Sequence, residues 1–157
     1  MMQYNLGGNN YSNAMSIVEP VGATYDATAN NNDKSIVVSD NERWDIKHGF
    51  VTYTSSAVVG NRRLVFEVLV NGLVFGRVSA GAVQAASTTN YYQFLQGTYR
   101  ETTFINDEIQ VPLPVGIVTF GGVELRFYDI NDIDSNDTMI VRVSYSRYPG
   151  LNPPTVS

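Results

Sequence analysis

Apolar and polar residues alternate along most of this chain with a period of two, rather than the 3.6 of a helix. Every second side chain is apolar between residues 139 and 146, and residues 123–128 repeat the pattern. Such alternation is typical of β-strands with one face in the core and the other in water. No stretch of ten or more residues shows the apolar stripe of an amphipathic helix.

The strongest local pattern is a predicted hairpin at residues 64–78. Two apolar runs, 64–70 and 73–78, flank the dipeptide Asn71-Gly72. Because Asn and Gly accept positive φ at both central turn positions, this pattern predicts two antiparallel strands joined by a type I′ turn.

The chain as a whole is predicted to be all-β. Further strands are expected at residues 35–39, 44–54, 91–95 and 115–120. The total is eight or nine short strands separated by Gly, Asn, Asp and Pro, which indicates a sandwich or a closed barrel. Since the edges of an open sheet invite aggregation, about eight strands favour a jelly-roll-like β-sandwich of two sheets.

The ends of the chain differ in composition from its middle. Residues 1–34 are rich in Asn, Gly, Ser and Ala and are predicted to be an N-terminal arm, with a short strand only at 16–19. Residues 35–148 are predicted to form the β-sandwich domain, within which 79–86 is a small-residue linker. Residues 149–157 are predicted to be an extended C-terminal tail, because proline fixes φ and lacks a backbone donor.

Composition narrows the range of functions. The chain has 157 residues, 43% of them hydrophobic and 16% charged, which suits one packed core. It has no cysteine, so disulfides, thiolate metal sites and cysteine nucleophiles are excluded. A net charge of -5 argues against nucleic-acid binding. With neither an apolar run of about 20 residues nor a signal-peptide pattern at the N-terminus, we expect no membrane partner and no secretory targeting.

Candidate catalytic residues are scarce. The single histidine, His48, would by strict alternation share a face with Trp44, Ile46 and Phe50, where a structural role is expected. A general base needs a nucleophile or an orienting partner, and the sequence indicates neither. Nucleophile-elbow, zinc-protease and phosphate-loop motifs are also missing. We therefore predict no catalytic residue, no cofactor and no enzymatic activity.

The acidic loop at residues 129–137 contains the weak candidates for a metal site. Asp132, Asp134 and Asn136 have the alternate spacing of calcium ligands. The loop has no glycine at the sixth position, and the twelfth position from Asp132 is Val143 rather than glutamate. A turn in which Asp and Asn cap their own backbone is the favoured interpretation.

Other polar residues leave alternatives open. Glu67, Glu124 and Asp129 lie on or beside predicted strands, as outward polar residues or as members of a hydrolytic pair. Arg62 and Arg63 form the compact basic group and are expected to pair with acids of this chain or of a neighbour.

Three tyrosines cluster near a predicted loop: Tyr91, Tyr92 and Tyr99. Tyrosines on a β-surface stack on sugar rings or anchor protein interfaces. A structural role is favoured here, because tyrosine is a preferred strand residue.

The order of the elements carries a family resemblance. It begins with an aromatic-bearing strand at 44–54, a strand preceded by an Asn-Arg-Arg group at 57–66 and the hairpin turn at 71–72. There follow a polar tyrosine strand at 91–94, a Pro-Leu-Pro segment at 112–114 and a strand with a Gly start at 122–127. An Asp-rich turn at 129–137 precedes the last strand. Over residues 42–148 this order resembles small structural proteins of tailed bacteriophage particles, in particular head decoration or cement proteins and related head fibres.

The resemblance implies a jelly-roll-like viral structural protein that binds the outside of a capsid shell and locks adjacent capsomers together. Its implied partners are the major capsid protein and further copies of itself, as a homotrimer at local three-fold points. Its implied location is the virion exterior, after synthesis in the host cytoplasm. The resemblance assigns no partner-binding residues.

Two other classes of function stay open at this stage. Jelly rolls also serve as lectins, so a glycan- or receptor-binding module of a fibre or spike is the first alternative, alongside a neck or tail assembly component. An enzyme, such as a glycan hydrolase, is the second, and it would need two facing carboxylates about 5 to 9.5 Å apart.

Overall fold

The computed structural model describes residues 22–30, 33–114 and 117–149. Within these ranges the regular structure consists of ten strands: β1 (Gly22–Asn30), β2 (Lys34–Val37), β3 (Glu42–Thr54), β4 (Leu64–Val70), β5 (Leu73–Ser79), β6 (Thr89–Gln96), β7 (Glu108–Leu113), β8 (Val118–Phe120), β9 (Glu124–Asp129) and β10 (Thr138–Pro149). None of the described ranges contains a helix long and apolar enough to span a membrane.

The strands form two sheets with jelly-roll connections. One sheet has the order β1-β10-β3-β6-β7, with β8 beside the first part of β3, and the other has the order β2-β9-β4-β5. The pairs β1–β10, β2–β9, β3–β6 and β4–β5 are nested antiparallel partners, as in a long hairpin folded over on itself. β7 and β8 are inserted between β6 and β9, and β7 pairs with β6 in parallel. The predicted jelly-roll-like β-sandwich is confirmed.

The core lies between the two sheets and is filled by alternate side chains of each strand. Fully buried members from both sheets are Val51, Phe94, Ile109, Val141, Leu64, Leu125 and Phe127. Three phenylalanines meet at its centre, with ring centroids 4.8 Å apart for Phe66 and Phe127 and 5.5 Å apart for Phe94 and Phe127. These aromatic contacts join β4 and β9 of one sheet to β6 of the other.

The hairpin predicted at Asn71-Gly72 is confirmed. Asn71 has φ 52° and Gly72 has φ 76°, the positive values that a type I′ turn requires. The dipeptide thus fixes the pairing of β4 with β5, in which Val70 lies opposite Leu73.

β3 contains a bulge that alters the predicted face of His48. Ile46 lies opposite Tyr145 of β10 and His48 lies opposite Ser144, so the intervening Lys47 has no counterpart on β10. One extra residue in a strand reverses the alternation of faces beyond it. Ile46 is therefore buried, whereas His48 points to the outer face of the sheet and is only half-buried.

The prediction that His48 shares a face with Trp44 and Ile46 is accordingly wrong. It shares the outer face with Phe50, while Trp44 stays in the core and stacks on Tyr145 with ring centroids 3.8 Å apart. The bulge arises from the pairing with β10, which strict alternation along β3 alone does not reveal.

Both predicted chain ends include strand residues. Residues 22–30, assigned to the arm, form β1 and pair with β10. Small residues gave this segment a weak strand pattern, and pairing with a neighbouring strand overrides such a local preference. Of the rest of the predicted arm, Asp33 is described and Lys34 begins β2. Residues 1–21 and 31–32 lie outside the described residues, as does the predicted strand at 16–19.

The predicted tail begins within β10. That strand continues to Pro149, which lies opposite Glu42 of β3. A proline is tolerated at the end of a strand, where few ladder hydrogen bonds remain to be made. Residues 150–157 of the predicted tail lie outside the described residues.

Candidate interaction surface

β5 forms one edge of the four-stranded sheet and exposes large apolar side chains. Among the described residues its only partner strand is β4, so part of its backbone N–H and C=O groups face away from the sheet. Leu73 is 75% exposed, Val74 46% and Phe75 84%. Protein edges are usually protected by lysine, proline or a covering segment, and an apolar exposed edge is a site of association. We call residues 73–78 the β5 edge.

A bulge in β5 places Phe75 outside the regular ladder. Val68 of β4 lies opposite Gly76 and Leu69 lies opposite Val74, so Phe75 has no counterpart on β4. A Cβ added at Gly76 would meet no atom within 4 Å. The face of the sheet above Gly76 is therefore open, because side chains on a strand stand roughly perpendicular to the sheet.

An apolar cavity of about 280 Å³ lies beside the β5 edge. It is lined by Phe66, Val68, Phe75, Gly76, Arg77, Val78, Pro114 and Ile117. Phe66 and Val68 belong to the core, so the cavity leads from the surface to the interior of the sandwich. A cavity of this kind suits a large apolar side chain more than a polar ligand.

A buried carboxylate binds two arginines next to this edge. Glu67 of β4 lies on the outer face of the sheet, yet its side chain is completely buried. It accepts hydrogen bonds from Arg77 Nε at 2.5 Å, from Tyr128 Oη at 2.7 Å and from Arg126. Burial raises the pKa of Glu67, but these hydrogen bonds outweigh burial and hold the pKa below its ordinary value.

The loops at one end of the sandwich enclose a second charged group. Arg62 and Asp137 are both buried, and the guanidinium donates two hydrogen bonds to the carboxylate, from Nε at 2.6 Å and from Nη2 at 3.0 Å. Asp137 also accepts from Tyr53 Oη at 3.0 Å and from the backbone N–H of Ser56 at 2.7 Å. Burial raises the pKa of Asp137, but the bonds from Arg62, Ser56 and Tyr53 outweigh it and lower the pKa.

The same network continues through amide and hydroxyl groups. Gln84, which is fully buried, donates to the carbonyls of Tyr53 and Thr88 at 3.0 Å and accepts from Tyr92 Oη at 2.8 Å. Asp129 accepts from the backbone N–H of Arg63 at 2.8 Å, and burial raises its pKa. The expected pairing of Arg62 with an acid is confirmed within this chain. These groups bind one another, which gives the network a structural role.

The acidic loop forms the connection between β9 and β10. The carboxylate of Asp134 accepts hydrogen bonds from the backbone N–H and the side-chain amide of Asn136, at 3.3 Å and 3.2 Å. Asp132 has φ 42°, a turn conformation that Asp and Asn tolerate. This is the self-capping turn favoured from the sequence. Among the described residues, no group of three or more His, Asp or Glu side chains is arranged to hold a metal ion.

His48 belongs to an aromatic group on the outer face of the six-stranded sheet. Its ring meets the edge of Phe50 at 6.2 Å, Phe50 stacks with Tyr91 at 6.2 Å, and the guanidinium of Arg142 lies 5.9 Å from the Phe50 ring. Burial lowers the pKa of His48. Tyr91 is 37% exposed, so this group presents only part of an aromatic surface to solvent.

The predicted tyrosine cluster is separated by the strand geometry. Tyr91 and Tyr92 are consecutive in β6 and point to opposite faces, so Tyr92 is buried in the core. Tyr99 lies in the loop after β6 and is 72% exposed.

Two glutamates that the sequence did not single out share a polar cavity of about 310 Å³. Glu101 accepts a hydrogen bond from the backbone N–H of Gln110 at 2.6 Å, and Glu108 accepts one from Gln93 at 3.0 Å. Glu108 is exposed and Glu101 half-buried. These bonds fasten the loop after β6 against β7, and no local sequence pattern signals that long-range contact.

The sequence also did not reveal the β5 edge. A continuous apolar run is typical of a strand that is buried on both faces, and the run at 73–75 matched that pattern. Comparison of the chain with protein-family models, with curated proteins and with solved structures finds no match.

Proposed function

We propose that this protein is a non-enzymatic structural subunit of a virus particle, a decoration or cement protein that binds and stabilises the head shell of a tailed phage. The observation that carries the proposal is the β5 edge, where Leu73 and Phe75 are 75% and 84% exposed on a strand that pairs only with β4 among the described residues. An exposed apolar edge of this kind is stable in a particle only when another chain covers it.

The jelly-roll topology supports the same function. The jelly-roll fold occurs in viral capsid proteins and in lectins. Its two packed sheets hold their edge strands and connecting loops in fixed positions. The buried Arg62–Asp137 pair links the loop that precedes β4 to the loop before β10. A rigid scaffold lowers the entropic cost of binding to a shell, so modest contacts repeated at many sites sum to high avidity.

The partners in this proposal are the major capsid protein and further copies of this chain. Its location is the exterior of the virion, and nucleic acid is not among its partners, in keeping with the net charge of -5. Assembly as a trimer at local three-fold points remains a prediction of the resemblance.

Binding to shells tests the proposal directly. The purified chain is mixed with empty heads assembled from the major capsid protein of the virus that encodes it, and the mixture is sedimented through a sucrose gradient. We expect the chain to migrate with the heads in a saturable amount and to raise their melting temperature. Migration of all the protein at the top of the gradient, with no change in head stability, would refute the proposal.

The outer-face aromatic group favours a second candidate function, glycan or receptor binding. Tyr91 and Phe50 stack on a sheet surface beside Arg142, and exposed aromatic rings of this type stack on sugars. A glycan array distinguishes the two functions. Saturable glycan binding that Tyr91→Ala abolishes, together with no binding to heads, would replace the decoration function by this one.

A further inference from the structure

We propose that the outer face of the four-stranded sheet binds an acidic sugar unit, whose carboxylate is held by Arg63 and Arg77. The site is a cavity of about 480 Å³ over β4 and β5, and both arginines line it. We call it the arginine cavity. Binding at this site goes beyond the proposed function and does not depend on it.

The strand register brings the two arginines to one face. Arg77 lies opposite Glu67 in the β4–β5 pair. Two residues further along β5, Ser79 lies opposite Val65. Side chains alternate between faces along a strand, so Arg63, which immediately precedes β4, falls on the same face as Val65 and Glu67. The arginine cavity lies among these outward positions.

Arg63 has donors to offer a ligand. Its backbone is fixed, since its N–H donates to Asp129 at 2.8 Å and its C=O accepts from Ile130 at 3.1 Å. Its side chain is half-buried, and its guanidinium has no hydrogen-bond or ion-pair partner among the described residues. A guanidinium presents five N–H donors in a planar fork that matches a carboxylate.

Arg77 is held in place and still has donors to offer. Its Nε donates to Glu67 at 2.5 Å, and its Nη2 lies 2.5 Å from the same carboxylate oxygen. Its Nη1 makes no bond within the described part of the chain. Glu67 also binds Arg126, so one carboxylate is shared by two guanidinium groups and does not neutralise both.

The charge of the lining selects an anion. The chain has 15 acidic and 10 basic residues, yet two arginines and no acid are found among the described residues that line the cavity. Asp129 is close by, but its carboxylate is directed to the backbone N–H groups of Arg63 and Asn131 and to Tyr53 Oη. A concave site lined by one sign of charge attracts a ligand of the opposite sign.

The polar lining residues match the hydroxyl groups of a sugar. Ser79 Oγ accepts a hydrogen bond from Arg100 Nη2 at 3.2 Å and keeps its own hydrogen to donate. The side chain of Asn131 donates to the carbonyl of Asn61, which leaves its amide oxygen as an acceptor. Hydroxyl groups both donate and accept, so they can bind to each of these atoms.

The other lining residues favour an acidic sugar over a simple anion or a neutral sugar. Val65 is fully buried and forms the floor, while Val83 and Ile130 are 38% and 50% exposed. These aliphatic groups contact the C–H groups of a sugar ring and offer nothing to a phosphate. Among the described lining residues there is no aromatic ring on which a neutral sugar could stack. The volume suits a small organic ligand, for which pockets of about 300 to 1,000 Å³ are typical.

Titration of the isotope-labelled chain followed by NMR tests the site. The probes are glucuronic acid and N-acetylneuraminic acid, with glucose as the neutral comparison. We expect saturable binding of at least one of the acids, about tenfold or more tighter than that of glucose, because a charge-assisted hydrogen bond is the stronger kind. The Nε–H resonances of Arg63 and Arg77 should shift, and added salt should weaken binding.

Arg63→Gln is the decisive variant, and Arg142→Gln is its matched control. Both remove one positive charge, but Arg142 lies beside Phe50 on the outer face of the other sheet. We expect Arg63→Gln to weaken binding of the acid about tenfold or more with an unchanged circular dichroism spectrum, and Arg142→Gln to change it by less than about twofold. Arg63→Lys keeps the charge without the planar fork and should give an intermediate loss.

Several outcomes would overturn this inference. One is the absence of saturable binding by either acid, and another is an equal loss of binding in Arg63→Gln and Arg142→Gln. Equally tight binding of acetate or inorganic phosphate would also overturn it, because the sugar would then contribute nothing. Sedimentation of Arg63→Gln with empty heads keeps the proposed function separate, since that variant should still migrate with them.

Discussion

The Arg62–Asp137 network and the β5 edge differ in whether their side chains have partners within the chain. Around Arg62 and Asp137, charged groups are buried and hydrogen-bonded to one another within the chain. At the β5 edge, large apolar side chains are exposed and one side of a strand has no partner strand in the described part of the chain. The first region is satisfied within the chain, whereas the proposed function requires another chain to cover the second. A folded chain can thus satisfy the polar groups of its interior and still expose large apolar side chains along one edge.

The largest effect is expected from breaking the buried ion pair. Asp137→Asn leaves Arg62 buried without its counter-charge, which costs about 3 to 5 kcal/mol in the free energy of unfolding. Asp132→Asn, in the same loop but exposed, is the control and should change stability by less than about 0.5 kcal/mol. Urea unfolding measures both. Equal midpoints for the two variants would show that the network contributes nothing to the fold.

A smaller effect is expected at Glu67, where the ion cluster borders the β5 edge. Glu67→Gln removes the charge that binds Arg77 and Arg126, and the loss of charge-assisted hydrogen bonds costs about 1.5 to 3 kcal/mol. Glu108→Gln, at an exposed site with one side-chain hydrogen bond, is the comparison. A midpoint shift in Glu67→Gln no larger than that in Glu108→Gln would contradict the structural role of the cluster.

Low pH should reduce the free energy of unfolding, because it protonates the same two carboxylates. Asp137 and Glu67 have folded-state pKa values below their ordinary ones, so their stabilising contribution is complete above the unfolded pKa values of about 3.9 and 4.3. This stabilising contribution is lost as the pH falls through the pKa values of the folded state, which are lower than those of the unfolded state. Asp129, whose pKa is raised, acts in the opposite direction.

Urea midpoints measured between neutral pH and strongly acidic pH test whether stability falls with pH in this direction. We expect a decline that begins near pH 4 and is shallower in Asp137→Asn than in the wild type, because the variant has lost the titrating group. A parallel decline in both proteins would place the acid sensitivity elsewhere.

The smallest effect on folding is expected from polar substitution at the edge. Phe75→Ser removes a side chain that is 84% exposed, so the stability of the separated chain should change by less than about 0.5 kcal/mol. Val68→Ser, on the same hairpin but in the core, should cost several times more. A large loss of stability in dilute Phe75→Ser would mean that Phe75 serves the fold rather than association.

The sequence predicted what depends on neighbouring residues. Asn71-Gly72 indicated the hairpin because the conformation of a two-residue turn is decided by those two residues. Alternation located most strands for the same reason. It failed at His48, because the bulge at Lys47 depends on how β3 pairs with β10.

The candidate surface was beyond local prediction. Whether the apolar run of β5 lies at the centre or the edge of a sheet depends on the order of all four strands, which no single segment encodes. The Arg62–Asp137 pair joins residues 75 positions apart, so only the folded topology brings them together. Arg62 was recognised as a basic group in need of an acid, but its partner was not identifiable.

Hydrogen exchange of the β5 amides tests the central claim most directly, that this edge is completed by another chain. Exchange is measured by mass spectrometry on dilute, separated chains and on the assembled protein, with the peptide covering β4 as internal reference. We expect outward-facing amides of Leu73–Ser79 to exchange rapidly when separated and to become strongly protected on assembly, while β4 stays equally protected in both. Unchanged exchange across β5 in the assembled protein would contradict the account.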